Sequence, residues 1–229
     1  MIGVVTSAAV VSAGVLAWGA VERNSPLFGR VQRHLSTREA AVALTFDDGP
    51  NPRATPAILD ALGEAGVAAT FFALGRHVDR WPSLVARASD EGHTIGNHGF
   101  HHRKLVYHGP RFVRDDISRG AESIVQAGGE RPTLFRAPHG ARNPWVTPIA
   151  RGQGQRTIGW TLGVWDTALP GAHVIGDRVI RGATPGCIVL LHDGDGSDPD
   201  GDRAQTAKAL PMIIRGLRER GFSFTTLDA

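Results

Sequence analysis

Two adjacent carboxylates, Asp47 and Asp48, follow a run of apolar residues, and further along the chain His98 and His102 stand four positions apart. Neighbouring anions at the end of a buried strand repel and lose hydration unless a cation neutralises them. A divalent metal ion would do this. On one helical turn an i, i+4 pair of histidines points both imidazoles the same way, so the two can grip one ion, with an aspartate as third ligand and water in the open positions. Two histidines and one carboxylate form the donor set of a catalytic site, since a structural site is closed by protein ligands. Further polar groups recur in the same setting, where apolar runs end: Arg136-Ala137-Pro138-His139-Gly140, Trp165-Asp166 and His192-Asp193.

The elements that must carry these groups alternate in type from Ala40 onward. Short apolar runs over 40–46, 67–73, 93–97, 133–138, 156–162, 187–193 and 222–227 read as seven strands, with amphipathic helical stretches between them. That alternation is the pattern of an α/β protein with a mainly parallel sheet. Seven strands each followed by a helix close a (β/α) barrel or most of one, and its functional residues belong at the C-terminal ends of the strands. The five polar clusters fall there.

The chain has 229 residues, 41% of them hydrophobic and 21% charged, which describes one globular domain with a substantial core and excludes intrinsic disorder. The single cysteine, Cys187, excludes an internal disulfide and a cysteine-based zinc cluster, and reads as a buried small hydrophobe. Basic residues are almost all arginine, with Lys104 and Lys208 the only lysines. This is a composition bias with no nucleic-acid motif attached, and no nucleic-acid partner is expected.

Residues 1–21 carry no charged side chain and approach the length needed to cross a bilayer, so they read as an uncleaved membrane anchor or an export signal. Residues 22–39 read as a linker and 40–229 as the catalytic domain. Arg23, Arg30, Arg33 and Arg38 follow the apolar run, which by the positive-inside rule argues for a cytoplasmic domain.

The segments TFDDGP (45–50), HGFHH (98–102), RAPHG (136–140), the stretch from Trp160 to Asp166 and LLHD (190–193) resemble the five ordered motifs of the polysaccharide deacetylase family, the NodB-homology domain of carbohydrate esterase family 4. The resemblance spans about residues 40–229. It implies a distorted (β/α) barrel, one divalent metal ion, zinc first with cobalt or nickel as alternatives, and hydrolytic removal of N-acetyl groups from N-acetylglucosamine polymers. Carried onto matching positions, it makes Asp48, His98 and His102 the metal ligands, Asp47 the general base, and Arg136 the partner that holds Asp47. His192 becomes the general acid with Asp166 orienting it. A backbone N–H in the Pro138-His139 turn would hold the oxyanion, His139 and Trp165 would touch the sugar, and Leu190 would line the acetyl pocket. The expected partner is therefore an N-acetylated glycan, acted on by a monomer. An envelope substrate places the domain outside the cytoplasm, against the flanking arginines.

The sequence departs from that family pattern in places. Gly99 stands where Ser or Thr usually stiffens the loop between the metal histidines, His139 replaces a common aromatic, and in Gly163-Val164-Trp165-Asp166-Thr167 the tryptophan precedes the retained aspartate. The acidic, glycine-rich GDGSDPDGD (194–202) fits a calcium loop poorly and reads as a flexible surface loop. Alternative functions on the same barrel are hydrolysis of a small-molecule amide or imide, and non-catalytic glycan binding. The second has no need for a base, an acid and three metal ligands together.

Overall fold

The computed structural model of the chain describes Gly14, Gly19, Glu22, residues 25–36 and residues 39–227. The apolar run 1–21 lies outside the described residues apart from its two glycines. Among the described residues no helix is long and apolar enough to cross a membrane.

Strands β1 (Ala41–Asp47), β2 (Thr70–Ala73), β3 (Thr94–Asn97), β4 (Leu134–Phe135), β5 (Arg156–Thr157), β6 (Leu162–Gly163), β7 (Cys187–His192) and β8 (Ser223–Phe224) form one sheet. Its path runs β5-β4-β3-β2-β1-β7-β6, all parallel, and β8 pairs with the start of β1. Helices α1 (Ala54–Ala65), α2 (Gly75–Val78), α3 (Pro82–Asp90), α4 (Pro110–Gln126), α5 (Val146–Gly152), α6 (Ala172–Gly182) and α7 (Ala204–Glu219) are interleaved with the strands. The expected α/β architecture, a distorted and incomplete barrel, is the one observed.

One strand differs from expectation. The run 156–162 breaks in two, with β5 on one edge of the sheet and β6 on the other. Between them, Ile158 donates to the β4 carbonyl of Phe135 and Thr161 to the β7 carbonyl of Ile188. Three Cα steps span at most about 11 Å, so the two edges of the sheet have curled to within that distance of each other. Gly159 and Trp160 cross the gap between the two edges.

Residues expected as a linker complete the closure. Gln32 donates to Thr157 O and its own carbonyl accepts from Gly159, while Leu35 donates to Gly186 O. Bridges Gln32–Ile158 and His34–Cys187 thus tie 31–35 to both sides of the gap. The segment reads as a tether in sequence because it has no period of its own; its backbone partners across the gap are distant in the chain.

The period of two along β1 sorts its residues between two cores. Val42, Leu44 and Phe46 join the outer core under α1, α6 and α7. Ala43 faces the barrel interior with Phe72, Leu134, Ile158, Trp160, Ile188 and Leu190. Thr45 and Asp47 continue that inner face upward, which carries Asp47 to the C-terminal rim. Cys187 is buried, as expected.

Candidate active site

The parallel register places Asp47 of β1 directly beside His192 of β7 and beside Phe72 of β2. His98 follows β3 and Arg136 follows β4, so β7, β1, β3 and β4 deliver residues at their C-terminal ends to one rim. A cavity of about 400 Å³ opens there. Asp47, Asp48, His98, His102, His139, Trp165, Asp166, Leu190 and His192 all line it. Arg136 lies beneath the floor with no exposed surface, and Pro138 is buried in its turn; among the sequence-expected residues these two do not reach the cavity.

His98 and His102 converge on Asp48, their Nε2 atoms 3.3 and 2.9 Å from its Oδ1. One donor atom from each of the three residues lies within 4.8 Å of the others. The convergence does not come from a helical turn: residues 98–102 are loop, and His102 sits at φ 56°. His98 donates from Nδ1 to Arg136 O at 2.8 Å, which fixes the ring and turns its Nε2 toward Asp48. Asp48, itself at φ 75°, has its carbonyl held by His77 Nδ1 at 2.8 Å. Its buried Oδ1 accepts no well-formed hydrogen bond. Burial alone would raise the Asp48 carboxyl, yet His102 and His98 outweigh it and hold the group well below the usual range.

Asp47 Oδ1 receives Arg136 Nη1 at 2.7 Å, and its Oδ2 lies 3.9 Å from His98 Nε2. The Arg136 guanidinium also donates to Thr45 Oγ1 and Gly159 O and lies over the ring of Phe72. On the other flank His192 Nδ1 meets Asp166 Oδ1 at 2.8 Å, while Asp166 Oδ2 accepts from His192 N and Thr206 Oγ1. Burial would lower the His192 imidazole, but the charge and hydrogen bond of Asp166, with Asp48 and Asp47 beyond, push it up to about 9. His139, at φ 59°, is pushed the other way to about 4 by burial and by the neighbouring His102.

Ordered motifs on five strand ends, a curled parallel sheet and this cluster coincide with a match of residues 34–158 to the family model described as polysaccharide deacetylase. The chain belongs to the polysaccharide deacetylase family. It is 41% identical to a chitooligosaccharide deacetylase of Rhizobium leguminosarum bv. trifolii, over 81% of this chain and 89% of that one. It is 37% identical to a peptidoglycan-N-acetylglucosamine deacetylase of Bacillus cereus, over 87% and 92%. Among solved structures, a family 4 carbohydrate esterase from Streptomyces lividans in complex with acetate superposes with a TM-score of 0.74 at 31% identity, covering 81% of this chain and 91% of that one.

The departures from the family pattern have local explanations. Gly99 adopts φ 78°, and a Cβ there would lie 2.5 Å from Asp116 Oδ2. That carboxylate accepts from Phe100 N, His101 N and His101 Nδ1, and Asn97 Oδ1 accepts from Gly99 N, so side chains outside the loop stiffen it. The displaced Trp165 stands at the cavity rim, 62% exposed, in left-handed backbone that leaves Asp166 to turn inward.

Sequence reasoning gave no role to two groups. Asp193, next to His192, accepts from Gly49 N and Thr55 Oγ1 and so holds the turn that follows Asp48; burial first, then Asp48 and Asp47, push it up to about 7. The loop 194–202, expected to be flexible surface, supplies Asp195, Gly196 and Ser197 to the cavity wall, and Arg203 just after it joins them. Asp195 is spent on the loop's own turn and on Arg203, and Asp198 accepts from Asp200 N, uses that composition does not reveal.

Proposed function

We propose that this family member is a metal-dependent hydrolase that removes N-acetyl groups from N-acetylglucosamine units of cell-envelope glycan. The observation that carries the reading is the meeting, in one cavity, of the Asp48/His98/His102 donor set with two separately supported groups, Asp47 on Arg136 and His192 on Asp166.

The donors fit a catalytic cation. Asp48 Oδ1 is buried without a well-formed hydrogen bond, and the two imidazole Nε2 atoms face it. Asp48, His98 and His102 would hold the ion, and zinc is the proposed metal, with cobalt or nickel as alternatives for the same nitrogen and oxygen donors. When bound, such an ion supplies Lewis acidity toward an acetyl carbonyl and lowers the pKa of a coordinated water.

The chain's own groups do the rest. Arg136 holds Asp47 Oδ1, which leaves Oδ2 directed at the donor set to take a proton from the attacking water. The oxyanion needs a donor from the 138–140 turn. Pro138 has no N–H and the Gly140 N–H is taken by Ala137 O, so the N–H of His139 fills that role. With Nδ1 bound to Asp166, His192 presents Nε2 as the acid, and at about 9 it is protonated at neutral pH, ready to give its proton to the leaving amine. Leu190 offers an apolar wall to the acetyl methyl, and Trp165 and His139 offer ring faces to the sugar.

The apolar run 1–21 and an envelope substrate together support an anchored domain facing outward; a C-terminal topology reporter that proved cytoplasmic would overturn that placement. The test of the activity is acetate release by the zinc-reconstituted full chain from N-acetylglucosamine oligomers and from N-acetylated peptidoglycan. Release from either supports the proposal. Release from neither, with cleavage of small amides instead, would replace the glycan by a small-molecule substrate.

A further inference from the structure

His102 reaches Asp48 from a loop, at positive φ, with no helical turn to aim its ring. Something else must aim it. The backbone of Gly196 lies against the imidazole so closely that a Cβ there would stand 1.9 Å from Nδ1, 2.1 Å from Cε1 and 2.4 Å from Cγ. Near-equal distances to three ring atoms place that contact on the face of the ring. His139 packs against the same imidazole, with ring centroids 4.5 Å apart.

Gly196 is itself fixed from both sides. Arg76, on α2, donates through Nη2 to the Gly196 carbonyl. Asp195 Oδ1 accepts from Ser197 N and Asp198 N, which folds the loop back on itself, and Asp195 Oδ2 receives Arg203 Nη2 at 2.6 Å. Arg203, 6% exposed, also donates Nε to Gly194 O and Nη1 to Asp202 O. Gly194 in turn sits so near Asp48 that a Cβ would meet the Asp48 carbonyl oxygen at 2.2 Å. Asn51 closes the far end by donating to Pro199 O and Gly201 O. The loop therefore touches two of the three residues, the Asp48 backbone at Gly194 and the His102 ring at Gly196.

We propose that the 194–203 loop is the positioning element of the metal centre: Gly196, locked by Arg76 and by the Asp195–Arg203 pair, sets the orientation of the His102 ring and so the affinity for the ion. The inference rests on Asp48, His98 and His102 holding a metal, and not on which glycan is cleaved. A loop that only walled the substrate cavity would alter KM and leave metal affinity alone.

The experiment is zinc affinity of the full-length apo-protein, read by competition with a chromophoric chelator, beside the visible absorption of the cobalt-substituted form. Outer groups that orient a metal-bound histidine typically carry about 10- to 100-fold in affinity. Gly196→Ala is expected to weaken zinc by that factor and to change the cobalt band, while Gly63→Ala, a helix position with nothing within 4 Å of the new methyl, matches the wild type. Zinc affinity within threefold of wild type and an unchanged cobalt spectrum in Gly196→Ala would overturn the proposal. Should that variant not reach the native far-UV circular dichroism spectrum, Arg76→Ala and Arg203→Ala add no atom and carry the same test, each expected to weaken zinc roughly threefold to tenfold. If both bind as the wild type does, the proposal is overturned. Tight zinc in the wild type without acetate release, together with weakened zinc in the loop variants, would remove the glycan reading and keep this one.

Discussion

Asp47 and His192 are register partners on adjacent parallel strands, whereas Asp48, His102 and His139 stand in loops at φ 75°, 56° and 59°. The first pair is placed by the sheet itself: β1 and β7 pair over six consecutive residues, so their last side chains can only arrive side by side. The second group has no ladder behind it. Left-handed backbone at a residue other than glycine costs of order 1–3 kcal/mol and persists only where surrounding contacts hold it. Those contacts are visible as His77 on the Asp48 carbonyl, Asp116 on the 100–101 backbone and Gly196 on His102. The proposed proton-transfer groups thus ride on a rigid scaffold, and the proposed donor set depends on a shell of loop contacts.

The two regions are expected to respond differently to substitution. Asp47→Asn, in the strand-borne region, should lower kcat/KM by about 10²- to 10⁴-fold while zinc affinity stays unchanged. A large loss of zinc in this variant would mean that the regions are not separable. Arg136→Met leaves Asp47 buried without its counter-charge and should cost about 3–5 kcal/mol of stability, read from the urea midpoint, where a loss below about 1 kcal/mol would show that the sheet and not the ion pair holds this flank.

The His192–Asp166 pair gives a pH test. In the proposed acid role the imidazolium is the donating form, so kcat/KM should hold below the His192 pKa and fall as pH rises through about 9. Asp166→Asn removes the charge that raises it, and the basic limb should move to lower pH; an unmoved limb would assign that limb to another group. The smallest effect is expected at the rim. Trp165→Ala should raise KM for oligomers severalfold with kcat nearly unchanged, because an exposed ring contributes binding area and no proton.

The same contrast decides what could be read from the chain alone. Asp47, Arg136 and His192 were legible because each ends an apolar run, and local pattern dictates strands and their exits. The clustering of Asp48, His98 and His102 was also legible, but its geometry was not: the i, i+4 spacing implies a helical turn, while Gly99 at φ 78° and Asp116 from α4 impose a loop. The break of 156–162 into two strands and the seating of 31–35 across the gap depend on edges meeting around a barrel, a closure with no local signal. Likewise GDGSDPDGD has the composition of free loop, and only its pairing with Arg76 and Arg203 reveals a wall of the site.

The most direct test of the account is a titration of zinc into the metal-free full-length protein, with acetate release from an N-acetylglucosamine oligomer followed at each step beside Asp47→Asn. Release that rises linearly, breaks at one equivalent and is lost in Asp47→Asn at unchanged zinc stoichiometry is the predicted result. Release without metal, or full release by Asp47→Asn, would contradict a site in which the loop-borne donors and the strand-borne base act on one acetyl group.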